Sequence, residues 1–165
     1  NSSHGSISYA VFCLKKKSGK GRYLRVLQQA YPNAALAGVD VSRRMLASCP
    51  QGVDAQQGTM LDLRYRDASL DAMYSVEALE HALIVENALR EMARVLKPGG
   101  RLVIIDKDAA QLGRLEIKPW ERWFRPREVI RLLARYGVEA SAEMVAYGDA
   151  TTPDGLFVAW KGIKR

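Results

Sequence analysis

The sequence predicts an α/β fold: a doubly wound sheet of seven strands, mostly parallel, with the last strand antiparallel. Three observations carry this. Short apolar runs of strand length alternate with segments of helical period from residue 7 to residue 105. The chain then closes on two strand-like runs, 138–147 and 156–163, joined by the loop "DATTPDG" with no helix between them. A chain of 165 residues without repeat or linker is one domain, large enough to bury a core.

The elements follow in order. "ISYAVFCL", 7–14, is a continuous apolar run, as expected of a strand covered on both faces. Segment 21–31 carries Tyr23, Leu24, Leu27, Ala30 and Tyr31 on one helical face, and Pro32 ends it. A second short strand, 35–39, is closed by Asp40. Ser42 is placed to cap a short helix, 43–48. Strands are expected at 53–57 and 70–76. The helix 86–96 has Leu89, Met92, Ala93 and Leu96 on one face, and "KPGG" stops it. Strand 102–105 ends at Asp106. Pro126 opens the next helix, with Val129, Ile130, Leu133 and Tyr136 as its apolar face and Gly137 as its cap.

Composition narrows the function classes. No apolar run approaches a membrane span, and the first run lacks the flanks of a signal peptide. Cys13 and Cys49 are isolated and read as reduced thiols of a cytoplasmic protein; no metal site is expected. The net charge of +7 reads as an ordinary basic surface. Aromatic residues are not interleaved with the basic ones, as single-strand nucleic-acid binding requires.

In a doubly wound sheet, ligands bind beyond the carboxyl ends of the strands. That singles out 15–21, Asp40, 58–62, 75–81 and 106–108. Gly19 and Gly21 form a GxG pair between strand and helix, which lets a ligand approach backbone N–H groups. Asp40, about 20 residues on, stands where an acid accepts hydrogen bonds from a ribose. A Walker phosphate loop is excluded: Gly21 replaces the Ser or Thr that holds magnesium. Glu77 and His81 are the titratable candidates for a general base and would share a face if their segment is helical. Asp106 and Asp108 are candidates for the acceptor side. Trp120 and Phe124 would lie on one side of a helix turn, as lid packing or, as the lesser alternative, a substrate wall.

Three stretches, "GVDVSRRML", "GTMLDLRYRDASLDAMYSVEALEH" and "ALREMARVLKPGGRLVIID", resemble class I S-adenosylmethionine-dependent methyltransferases. The resemblance runs from Gly19 to Asp106 and is greatest to the small-molecule, quinone-biosynthesis branch. It implies a Rossmann-like sheet, S-adenosylmethionine as cofactor and a small-molecule methyl acceptor. It implies that Gly19 and Gly21 lie under the methionine part, that Asp40 binds the ribose hydroxyls, and that Val41 and Met45 lie near the adenine. Thr59 and Met60 border the adenine, Ser75 lies beside the methyl donor, and His81 matches the histidine of the family's "leH" stretch. Lys15 and Lys17 stand where the family has an acid and a glycine, and Thr59 where it often has an aspartate. The first glycine motif is thus degenerate, and cofactor binding weaker than usual, or absent, is expected. The single domain, 1–165, is expected to lack the family's N-terminal covering helices. Three alternatives stand beside this reading. One is a noncatalytic methyltransferase-like scaffold. The second is an NAD(P)-dependent oxidoreductase, which an all-parallel sheet would favour. The third is an RNA methyltransferase, suggested only by the net charge.

Overall fold

The computed structural model describes residues 8–12, 22–147 and 150–165. Strand β1 (Ser8–Phe12) is followed by α1 (Arg22–Ala30), β2 (Ala35–Asp40), α2 (Arg43–Leu46), β3 (Asp54–Gln57) and β4 (Leu70–Val76). A single 3-10 turn, Leu79–His81, leads to α3 (Val85–Val95), which passes straight into β5 (Leu96–Lys107). A second 3-10 turn, Ala109–Gln111, precedes α4 (Pro126–Arg135), β6 (Val138–Val145) and β7 (Phe157–Lys164).

The sheet runs in the order β3-β2-β1-β4-β5-β7-β6. The first five are parallel to their neighbours, and β7 lies antiparallel between β5 and β6. The mixed, Rossmann-like α/β class is therefore the fold. The order reverses beside β1, and at such a switch point the loops leaving neighbouring strands diverge and open a crevice.

Each face is covered because the strand pattern demands it. Val39, Met73, Leu102 and Ile104 meet Leu89 and Met92 of α3 and Val129 and Leu133 of α4 in the larger core. Leu24 of α1 and Leu36 of β2 form the core of the other face, with Leu27, Met45, Leu46 and Tyr74 packed around them. Fully buried Trp160 fills the β7 end, and its indole N–H donates to the Pro126 carbonyl at 2.9 Å.

Three local expectations need correction. Ser42 does not cap α2 with its side chain; its backbone N–H donates instead to Asp40 Oδ1 at 2.7 Å. "KPGG" does not separate helix from strand. It lies within β5 as an irregularity of the β4–β5 register, where Gly99 takes φ +78°. A Cβ at Gly100 would stand 2.7 Å from the Lys97 carbonyl oxygen, so the glycine is fixed by close backbone approach. Residues 119–124 are not helical: Phe124 is fully buried, whereas Trp120 is exposed. The loop thus uses Phe124 and Trp123 as its anchors, not the Trp120–Phe124 pair.

Candidate functional site

The carboxyl ends of β2, β3 and β4 enclose a cavity of about 330 Å³. Val39, Asp40 and Val41 line it from β2, Gly58 to Leu61 from the loop after β3, and Ala78, His81, Ala82 and Leu83 from the segment after β4. Asp40, Val41, Thr59, Met60 and His81 thus face one cavity. Asp40 is buried, and its Oδ1 is fixed by the Ser42 N–H. Gln57 donates to the Val41 carbonyl at 3.0 Å and accepts from Arg43 Nε at 2.8 Å, which steadies the residues after Asp40. Thr59 Oγ1 accepts from the Leu61 N–H at 3.2 Å, which curls the loop around the cavity. Gly58 keeps its wall thin: a Cβ there would lie 3.2 Å from Val39 Cγ1.

That loop is held from behind by α3. Glu91 accepts from the Leu63 N–H at 2.8 Å and from Arg94 at 2.8 and 2.7 Å. Arg94 also donates to the carbonyls of Leu63 and Tyr65 and to Asp67. The Arg94 hydrogen bond holds the Glu91 carboxyl below its ordinary pKa. Sequence reading missed this clamp. A Glu–Arg pair three apart in a helix is the signal for a local ion pair, but nothing in it names the loop it grips.

Other sequence candidates lie elsewhere. Gly19, Gly21, Lys15 and Lys17 are outside the described residues. Met45 packs into the core beneath α1 rather than lining the cavity. Ser75 is fully buried on β4, its hydroxyl without a partner among the described residues. Glu77 and His81 do not share a helix face. Glu77 leaves β4 with φ +47°, and only one 3-10 turn follows. Glu77 is buried, accepts from the Tyr147 hydroxyl at 2.8 Å and lies 3.4 Å from Lys107 Nζ. Asp108 is buried and caps the second 3-10 turn through the Ala110 N–H. Asp106 is fully buried, its oxygens accepting from the N–H groups of Glu80 and Lys107. Burial, then the neighbouring Glu80 carboxylate, pushes its pKa well above the usual carboxylate range.

Lys107 was not foreseen. It ends β5 buried, 2.5 Å from Glu80 Oε2, with its ammonium over the rings of Trp123 and Phe157. A lysine following an aspartate at a strand end reads as a solvated terminus, and only the loop carrying Trp123 turns it inward.

The cavity suits a nucleoside. Val39, Val41, Met60 and Leu61 offer apolar surface for a base, and Asp40 offers a carboxylate at the strand end, where a ribose diol binds in such sheets. The fold and site together define a nucleoside-cofactor-binding domain of the doubly wound class.

Comparison with known proteins narrows the class. A family model described as a methyltransferase domain matches residues 17–104. The ubiquinone/menaquinone biosynthesis C-methyltransferase of Desulfotalea psychrophila is 28% identical over 81% of this chain and 52% of its own. An O-methyltransferase of Penicillium expansum is 35% identical over 53% of this chain and 35% of its own. The chain thus spans about half or less of the length of these curated relatives. The methyltransferase in a solved complex with the Haloferax volcanii activator Trm112 superposes with a TM-score of 0.79 at 19% identity. That match covers 96% of this chain and 82% of the other, and it speaks for the fold alone. The chain belongs to the class I S-adenosylmethionine-dependent methyltransferase family. The oxidoreductase alternative falls with the antiparallel β7 and the family match.

Proposed function

We propose that this chain is an S-adenosylmethionine-dependent methyltransferase domain whose acceptor is a small molecule of the quinone type. The observation that carries it is the buried Asp40 at the end of β2, at the edge of an apolar cavity. Bound, the cofactor supplies an electrophilic methyl on a sulfonium. Asp40 would accept the ribose hydroxyls. Val41, Thr59 and Met60 would border the adenine, and the backbone at Gly19 and Gly21 would face the methionine carboxylate. Ser75, buried at the end of β4, would orient groups beside the methyl donor through its hydroxyl.

The remaining task is positioning and exclusion of water, because the sulfonium is already a good leaving group. Where an acceptor hydroxyl must lose a proton, His81 is the residue that reaches the cavity; Glu77 is committed to Lys107 and Tyr147. An apolar acceptor fits the cavity mouth, where Val41 and Leu83 are exposed. No helix among the described residues is long and apolar enough to cross a membrane, and Cys49 is a free thiol, which supports a cytoplasmic setting.

Calorimetry with S-adenosylmethionine tests this reading. Charge-assisted hydrogen bonds are worth roughly 1.5–3 kcal/mol, so Asp40→Ala should weaken binding by about tenfold to a hundredfold. An unchanged dissociation constant, or binding of NADP in its place, would sink it.

A further inference from the structure

Side chains from three separate parts of the chain converge on the ammonium of Lys107. Its Nζ lies 2.5 Å from Glu80 Oε2 and 3.4 Å from Glu77 Oε1. The ring centroids of Trp123 and Phe157 stand 5.7 and 5.9 Å from it, within reach of a cation–π contact. Glu77 and Glu80 come from the exit of β4 and the turn after it, Trp123 from the loop before α4, and Phe157 from the start of β7.

The surroundings hold these groups in place. Glu77 Oε2 accepts from the Tyr147 hydroxyl at 2.8 Å, and the Tyr147 ring packs on Phe157 with centroids 4.3 Å apart. The Glu80 N–H donates to Asp106 Oδ2 at 3.1 Å. Trp123 is buried, yet its indole N–H has no partner among the described residues, whereas that of Trp160 has one. A buried indole usually finds an acceptor, so it is the ring beside the ammonium, and not the N–H, that this position uses. Burying an ammonium is costly unless counter-charge and hydrogen bonds replace its water, and Lys107 is drawn inward to a setting that supplies both. Two carboxylates and two aromatic rings around one point are the chemistry that recognises an alkylammonium. The site adjoins the cavity: Glu80 meets Lys107 with one oxygen and lies 3.4 Å from His81 Nε2 with the other, and His81 lines the cavity.

We propose that Glu77, Glu80, Trp123 and Phe157 form an alkylammonium-binding site beside the cavity, and that Lys107 fills it with its own side chain. Lys107 is thereby a specificity-determining residue. With the site taken from within, an acceptor carrying a protonated amine finds no free counter-charge there, while an uncharged acceptor is unaffected. This consequence for specificity rests on the methyltransferase reading and deepens it, naming amine-free molecules as the acceptor class. The binding site itself stands without that reading.

The test is denaturant unfolding of the full chain and of Lys107→Ala, each titrated with n-propylammonium chloride at neutral pH. Lys107→Ala removes a portion of side chain with the shape of this amine. Propan-1-ol is the uncharged control, and sodium chloride matches the ionic strength. Neither S-adenosylmethionine nor acceptor is present, so failure here leaves the methyl-transfer reading standing. In Lys107→Ala the amine should stabilise saturably, and at about ten times its dissociation constant should raise the folded-to-unfolded ratio about elevenfold. Propan-1-ol should not do so, and the unaltered chain should respond to neither compound. Where Lys107→Ala does not fold alone, recovery on refolding is read instead: folded protein obtained with the amine and not with the alcohol supports the site. Equal effects of amine and alcohol, no gain from either, or equal amine binding by the unaltered chain overturns the proposal.

Discussion

We propose that cofactor affinity turns on Lys15 and Lys17, which stand where the family has an acid and a glycine. S-adenosylmethionine carries a sulfonium and an ammonium against one carboxylate, so a lysine where relatives place an acid exchanges attraction for repulsion. At about 7 Å one such charge costs roughly 0.5–2.5 kcal/mol for effective dielectrics of about 80 to 20. Lys17 also stands where a glycine would turn freely. Changing Lys15 to Asp and Lys17 to Gly together should tighten S-adenosylmethionine binding by at least about tenfold, since each tenfold needs about 1.4 kcal/mol. Tight binding by the unaltered chain, with no gain from the double change, would mean that the lysines point away from the site. The place of Asp40 was legible because it closes a short apolar strand. Glu77 and Met45 were not. Whether a carboxylate faces a cavity or an ammonium, and whether a methionine faces a ligand or a helix, depends on neighbours distant in sequence.

At the scale of elements, α3 does more than cover the sheet. Through Glu91 and Arg94 it fixes the stretch from Leu63 to Asp67, next to the loop that walls the cavity. Removing Arg94 leaves two backbone carbonyls and two carboxylates without their donor. Arg94→Ala should therefore lower the unfolding free energy by roughly 2 kcal/mol, as expected for loss of charged hydrogen bonds, and weaken cofactor binding alongside. The pH dependence supplies a second check. Glu91 is held below its ordinary pKa by Arg94, so its contribution is present above the unfolded value of about 4.3 and is lost as pH falls through the folded value. Denaturant unfolding on the acid side should lose part of its pH slope in Arg94→Ala. An identical slope would show that the clamp is not the source.

Across the whole molecule, the β4 and β5 ends, the loop before α4 and β7 join over one buried cluster: Glu77, Glu80, Asp106 and Lys107, beneath Trp123 and Phe157. Asp106 titrates in the opposite sense to Glu91. Its folded pKa is raised, so its contribution to stability is full below the unfolded value of about 3.9 and is lost as pH rises toward the folded value. Asp106→Asn, which keeps the shape without the charge, should fold and should abolish this loss. Unfolding free energies measured from acid to neutral pH should fall less steeply with rising pH in the variant. A wild-type curve that the variant merely parallels would show that Asp106 is already ionised in the folded chain.

By itself the sequence determined the class of fold, the helix faces and the place of Asp40 at the end of its strand. Each of these rests on local periodicity or on residues at strand ends, and strand ends are where a doubly wound sheet must put its ligand. Tertiary structure alone decided the inward turn of Lys107, the grip of Arg94 on a loop about 30 residues earlier, and the meeting of Glu77 and Glu80 with Trp123 and Phe157 around one ammonium. The reason is physical. Burial and pairing of a charge are set by what the rest of the chain brings against it, and no short window of sequence contains that partner.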